Sequence, residues 1–140
     1  MARPAAVAYV DTSWLLAIAL GERGADPLAK RLQRYDRLLA SNLTEAELRS
    51  ALAREQATAA AEPLLSWIGW VLPDRPLSGE LRRVAAAGGL RGAALWHVAH
   101  ALYLAPEGKG LDFLTLDRRQ QEAASALGFP RVAAPSSRRA

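Results

Sequence analysis

Ala6-Val7-Ala8-Tyr9-Val10-Asp11-Thr12-Ser13-Trp14-Leu15-Leu16-Ala17-Ile18-Ala19-Leu20 is the stretch on which the reading of the fold turns. Its first five residues form a short apolar run with β-branched and aromatic members, and Asp11-Thr12-Ser13 closes that run with polar, turn-forming side chains. From Trp14 the composition is helical. A strand therefore feeds a helix through a polar turn. The same alternation continues outward. After Gly21 a helix is predicted around Pro27 to Tyr35, with Leu28 and Leu32 one turn apart, then a strand at Arg37-Leu38-Leu39-Ala40. Ser41-Asn42-Leu43-Thr44 has helix-start chemistry and opens a helix from Glu45 to Ala61.

Pro63 opens a further helical segment, Leu64 to Gly69, followed by a strand at Trp70-Val71-Leu72 and a turn at Pro73-Asp74-Arg75-Pro76. Helices from Leu77 to Ala87, stopped by Gly88-Gly89, and from Leu90 to Leu104 come next. Asp112-Phe113-Leu114-Thr115-Leu116 reads as a strand, Asp117 to Leu127 as a helix, and Arg131-Val132-Ala133 as a last strand. Strands that alternate with helices from end to end define an α/β layer fold around a mostly parallel sheet. A chain of 140 residues has the length of one domain, expected over residues 1–134 with a frayed tail at 135–140.

There is no cysteine, which excludes disulfides, thiolate nucleophiles and cysteine-based zinc sites. Any metal must sit on oxygen or imidazole. No apolar stretch is long enough to span a bilayer and the first residues lack the sections of a signal peptide, so no membrane association and a cytoplasmic location are expected. The net charge is +4 with 18 Lys and Arg, of which only Lys30 and Lys109 are lysine. An arginine-rich surface suits phosphate, although GC-rich coding favours the same composition.

In an open parallel sheet the ligand site lies outside the carboxyl ends of the strands. Asp11 ends the first strand, Glu47 lies in the first turns of the helix after the second, and Asp117 follows Phe113-Leu114-Thr115-Leu116. Carboxylates gathered at one rim repel one another unless a hard divalent cation neutralises them, so Mg²⁺ or Mn²⁺ is the expected occupant, able to activate water for phosphodiester hydrolysis. Each acid also fits a structural role. Asp11 can cap the helix it precedes, Asp117 with Gln120 forms a D-x-x-Q pattern, and Thr44 with Glu47 fits a capping box. Glu45 has the same spacing from Asn42, so spacing alone does not choose between Glu45 and Glu47.

Tyr9-Val10-Asp11-Thr12-Ser13 resembles the opening motif of PIN-domain proteins. Ser41-Asn42-Leu43-Thr44-Glu45-Ala46-Glu47-Leu48 resembles their second motif, Leu90 to Ala99 their third, and Phe113-Leu114-Thr115-Leu116-Asp117 with Arg118 their last. The resemblance is to ribonuclease toxins of the VapC type and covers nearly the whole chain. It implies a three-layer fold with a sheet of four to five short strands, and selects Glu47, which directly precedes Leu48. It further implies Asp11, Glu47 and Asp117 as metal ligands, with cleavage of a structured RNA such as tRNA or rRNA to leave 5′-phosphate and 3′-hydroxyl ends. A VapB-type antitoxin and a second copy of the chain are the implied partners.

The family pattern carries an aspartate where this chain has Ala94, so the resemblance implies a site that lacks one acid, through natural loss or deliberate replacement, and impaired or absent activity. A catalytically inactive PIN-like module that binds RNA or protein is the alternative. A phosphoacceptor receiver domain is a more distant one, since it needs paired acids where Asp11 is followed by Thr12 and a lysine after a late strand, whereas Lys109 precedes one. Thr12, Ser13 and Thr115 are candidates to orient metal-bound water, and Arg91 and Arg118 to meet RNA phosphates. His97 reads as a partly buried residue that packs and hydrogen-bonds, His100 as surface, and Trp67, Trp70 and Trp96 as core or interface.

Overall fold

The computed structural model describes residues 3–135. Four strands, β1 (Val7–Val10), β2 (Arg37–Ser41), β3 (Ile68–Val71) and β4 (Asp112–Leu114), make one sheet in the order β3-β2-β1-β4. Every pairing is parallel, with Tyr9 opposite Leu39 on one side and Phe113 on the other. Parallel neighbours require crossovers, and helices supply them. α1 (Thr12–Ala19) and α2 (Ala25–Leu32) link β1 to β2, α3 (Leu43–Arg54) and α4 (Ala61–Leu65) lead to β3, α5 (Ser78–Ala87) and α6 (Gly92–Leu104) lead to β4, and α7 (Arg118–Ala126) follows.

The side-chain period of two sorts the strand residues between two cores. Ala8, Val10, Leu38, Ala40 and Leu114 face a cluster with Trp14, Leu15, Leu28, Leu48 and Leu52 from α1 to α3. Tyr9 and Phe113 face the opposite cluster, with Val84, Val98, Leu102 and Ala124 from α5 to α7. The result is the α/β layer fold expected from the alternation, with the three layers that the resemblance implies. No helix among the described residues is long and apolar enough to cross a membrane.

Several expectations need correction. The helix drawn from Leu64 to Gly69 spans Ala61–Leu65 instead, and Ile68 and Gly69 belong to β3. The helix drawn from Glu45 to Ala61 ends at Arg54, because Gln56 turns left-handed (φ 55°). The Ala57 amide then closes back on the Leu52 carbonyl at 2.8 Å. This is the geometry of a Schellman stop, in which a glycine is usual and a glutamine gives no local warning. Arg131-Val132-Ala133 joins no strand; Val132 and Ala134 instead pack against the first core cluster. Trp67, Trp70 and Trp96 are 52%, 36% and 38% exposed, which excludes them from the core. Of the tail at 135–140, only Pro135 lies within the described residues.

At the end of the sheet away from the strands' carboxyl termini, the Tyr35 hydroxyl donates to Asp112 Oδ2 at 2.6 Å and receives Arg31 Nε at 3.3 Å. Burial, reinforced by the Asp112 contact, pushes the phenol from 10.0 up to about 12. A group whose folded value is raised contributes stability that is fully present below its unfolded value and lost as pH rises through the folded one. Melting temperature is therefore expected to fall between pH 10 and 12, and to fall less in Tyr35→Phe. Equal slopes in the two proteins would refute the assignment.

Candidate active site

The order β3-β2-β1-β4 makes the chain step outward on one side of β1 and return to the other, so β1 and β4 bracket the topological switch point. A crevice opens there beyond the carboxyl ends. Asp11 follows β1 and is only 6% exposed. Its Oδ2 receives the Ser13 amide at 3.1 Å and the Ser13 hydroxyl at 2.6 Å, so it caps α1 while it borders the crevice. Its Oδ1 receives Gln120 Nε2 at 3.2 Å. The Ser13 hydroxyl in turn accepts the Leu116 amide at 3.1 Å, which ties the start of α1 to the chain after β4.

Gln120 holds the crevice together. It is 1% exposed; its Oε1 accepts the Thr115 hydroxyl at 2.6 Å, and its two amide protons reach Asp11 Oδ1 and the Ala94 carbonyl, each at 3.2 Å. Position 94, in the first turn of α6, thereby borders the same crevice as Asp11. Thr115 lies 3.2 Å from Asp11 Oδ2 and accepts the Asp117 amide at 3.1 Å. Asp117 itself caps α7, its Oδ1 receiving the Arg119 amide at 2.8 Å and the Gln120 amide at 3.4 Å. The D-x-x-Q spacing thus forms only half a capping box, because the glutamine side chain turns to Asp11.

Glu47 reaches the crevice from α3. Its Oε1 receives the Thr12 hydroxyl at 2.7 Å and faces His97 Nε2 at 2.7 Å. The His97 hydrogen bond, then that of Thr12, holds the carboxyl below its ordinary 4.5 against the opposing effect of burial. Glu45 points elsewhere, into an ion pair with Arg49 at 2.7 Å and one helical turn away. His97 Nε2 is also 3.9 Å from Asp11 Oδ1, so the imidazole stands between the two acids.

The sequence reading did not single out Gln120, Tyr9 or Ser41 for this site. His97 is 1% exposed and His100 2%. His100 is therefore not a surface residue: its Nδ1 lies 2.9 Å from the Trp96 carbonyl, its ring packs 4.5 Å from the Trp96 indole, and burial lowers its pKa below 6.5. The two histidines have different partners, and neither pairs with the other around a shared position. Arg91 is the N-cap of α6 and Arg118 the first residue of α7; both are exposed and carry no ion pair among the described residues.

Among the described residues no three His, Asp or Glu side chains stand close enough to hold a metal ion together. The donor chemistry nevertheless suits a hard divalent cation. Glu47 Oε2 and Asp117 Oδ2 receive no hydrogen bond from the described residues, and Asp11 Oδ1 receives only one. The hydroxyl- and amide-braced carboxylates thus lie at the switch point of a parallel sheet, where ligands of open α/β sheets bind. The sequence pattern of the PIN domain matches residues 8–126, and the chain belongs to that family. Comparison with curated proteins found no match. PIN domains are generally metal-dependent nucleases that act on RNA or DNA, so a nuclease-type function follows.

Proposed function

We propose that this chain is the toxin component of a type II toxin–antitoxin pair of the VapC kind, a Mg²⁺- or Mn²⁺-dependent endoribonuclease impaired by Ala94. The observation that supports the reading is the Gln120 amide, which reaches both Asp11 Oδ1 and the Ala94 carbonyl. Asp11, Glu47 and Asp117 would hold the metal, with position 94 as the missing fourth acid. When bound, the ion would supply Lewis acidity and a more acidic water for attack on a phosphodiester.

The chain's own residues do the rest. Ser13 and Gln120 fix Asp11, Thr12 and His97 fix Glu47, and Thr115 anchors the start of the Asp117 turn. Arg91 and Arg118 sit at helix N-termini, where the dipole disfavours cations, and a bound RNA phosphate would relieve that conflict. A structured RNA such as tRNA or rRNA is the proposed substrate. The competing reading, an inactive module that binds RNA or protein, is favoured by Ala94 alone.

The test is calorimetric titration with Mn²⁺. Ala94→Asp is expected to bind about tenfold or more tightly than the chain itself, because a missing acid, whether it meets the ion directly or through a partner, costs at least that much. Equal affinity would remove position 94 from the metal site and return the alternative to first place.

The proposed partners are a VapB-type antitoxin and a second copy of the chain. Trp67, Trp70 and Leu72, 52%, 36% and 68% exposed, lie on and around the edge strand β3, and apolar side chains gathered at an unpaired edge favour association. Light scattering at roughly tens of micromolar is expected to give a dimer mass. A monomer would count against self-association.

A further inference from the structure

Behind Glu47 runs a buried polar chain. Tyr9 and His97 are 0% and 1% exposed, one on β1 and the other on α6. His97 Nδ1 lies 2.7 Å from the Tyr9 hydroxyl, and Nε2 lies 2.7 Å from Glu47 Oε1. The Tyr9 oxygen receives the Ser41 amide at 3.0 Å. The Ser41 hydroxyl has its acceptor capacity filled by the Trp96 indole at 2.9 Å and the Leu43 amide at 3.0 Å, so it offers the Tyr9 proton no acceptor.

Proton counting then sets the direction of the chain. A phenol has one proton; the Ser41 amide can only donate, so the acceptor that proton reaches is His97 Nδ1. Nδ1 is then an acceptor, the ring proton sits on Nε2, and Nε2 donates to Glu47. Thr12 donates to the same oxygen at 2.7 Å. Glu47 is thus gripped by Oε1, while Oε2 has no hydrogen bond from the described residues.

We propose that Tyr9 and His97 are positioning residues for Glu47: a relay from the Ser41 amide through Tyr9 and His97 that fixes the His97 tautomer and decides which carboxylate oxygen stays available. The inference rests on the reading of Glu47 as a metal ligand. Packing alone does not require it, because Tyr9 already stacks on Phe113 with centroids 5.5 Å apart, and an apolar ring could fill the same space without buried polar atoms to satisfy.

Two measurements test it. Nitrogen NMR of the imidazoles in the unaltered chain, at mildly alkaline pH and with His97→Phe to assign the signals, should show His97 protonated at Nε2 and bare at Nδ1. A protonated Nδ1, in the neutral or the cationic ring, would overturn the relay. Mn²⁺ titration of the Ala94→Asp chain, alone and with His97→Phe, His97→Gln or Tyr9→Phe, should show about 10- to 100-fold weaker binding for His97→Phe. Tyr9→Phe should lose less, and His97→Gln, whose amide can still donate, should recover part of the affinity. Unchanged affinity in a folded His97→Phe protein would reduce the pair to packing. Failure of the metal-site reading is separately visible: the Ala94→Asp parent would bind no Mn²⁺, and the positioning role would fall with it.

Discussion

Ala94→Asp is expected to convert this chain into a Mg²⁺- or Mn²⁺-dependent ribonuclease, raising cleavage of total cellular RNA about 10- to 100-fold over the unaltered protein. Position 94 and His97 are one helical turn apart and share a face of α6. His97 Nε2 lies 2.7 Å from Glu47 and 3.9 Å from Asp11, while Gln120 links the Ala94 carbonyl to Asp11. A carboxylate at position 94 would therefore enter a crevice already lined by two acids. Their mutual repulsion would raise the demand for a divalent cation, which is how such sites gain affinity.

Two further variants sharpen the expectation. Adding Asp11→Asn or Asp117→Asn to Ala94→Asp should abolish the gain, since each removes charge but little volume and catalytic metal sites tolerate such losses poorly. Growth arrest on expression should follow the activity. An Ala94→Asp protein that folds, binds metal and leaves total RNA intact would end the nuclease reading for this chain.

Trp14→Ala is expected to cause the largest loss of stability, about 3–5 kcal/mol. The side chain is 0% exposed and packs in the cluster that joins β1, α2 and α3. Its indole N–H donates to the Leu28 carbonyl at 3.2 Å, which ties α1 to α2. Truncation removes the largest fully buried side chain of the molecule and leaves that carbonyl without its partner. Against a total stability of roughly 5–15 kcal/mol for a domain, the variant should unfold at far lower urea. Trp14→Phe keeps most of the volume and loses mainly the hydrogen bond, so a much smaller shift is expected. Near-equal midpoints for the two variants would show that packing at Trp14 is not what holds this core.

The elements that carry the fold were legible because they obey local rules. The run Val7 to Val10, the polar turn at Asp11 and the apolar helix after it follow from side-chain period and capping chemistry, which depend on neighbours a few residues apart. The same reasoning found β2, β3 and β4 to within a few residues. It failed at Arg54, where the stop depends on Gln56 adopting a left-handed turn, and at Arg131 to Ala133, where a β-branched residue packs on a core without joining the sheet.

Of the proposed site, the sequence by itself offered Asp11, Glu47 and Asp117 as candidates from their places after the strands, and the motif resemblance chose Glu47 over Glu45 and drew attention to Ala94. Their surroundings came only from the tertiary structure. Gln120 looked like half of a capping box and instead binds Asp11 and Ala94; Tyr9 looked like a strand residue and faces His97; His100 looked exposed and is buried. The sequence by itself thus determined the order and type of the elements, because helix and strand periods and turn chemistry act over a few residues. Which side chains meet across that frame was decided only by tertiary structure, because hydrogen bonds such as Gln120 to Asp11, 109 residues apart, arise only where strand order brings distant segments together.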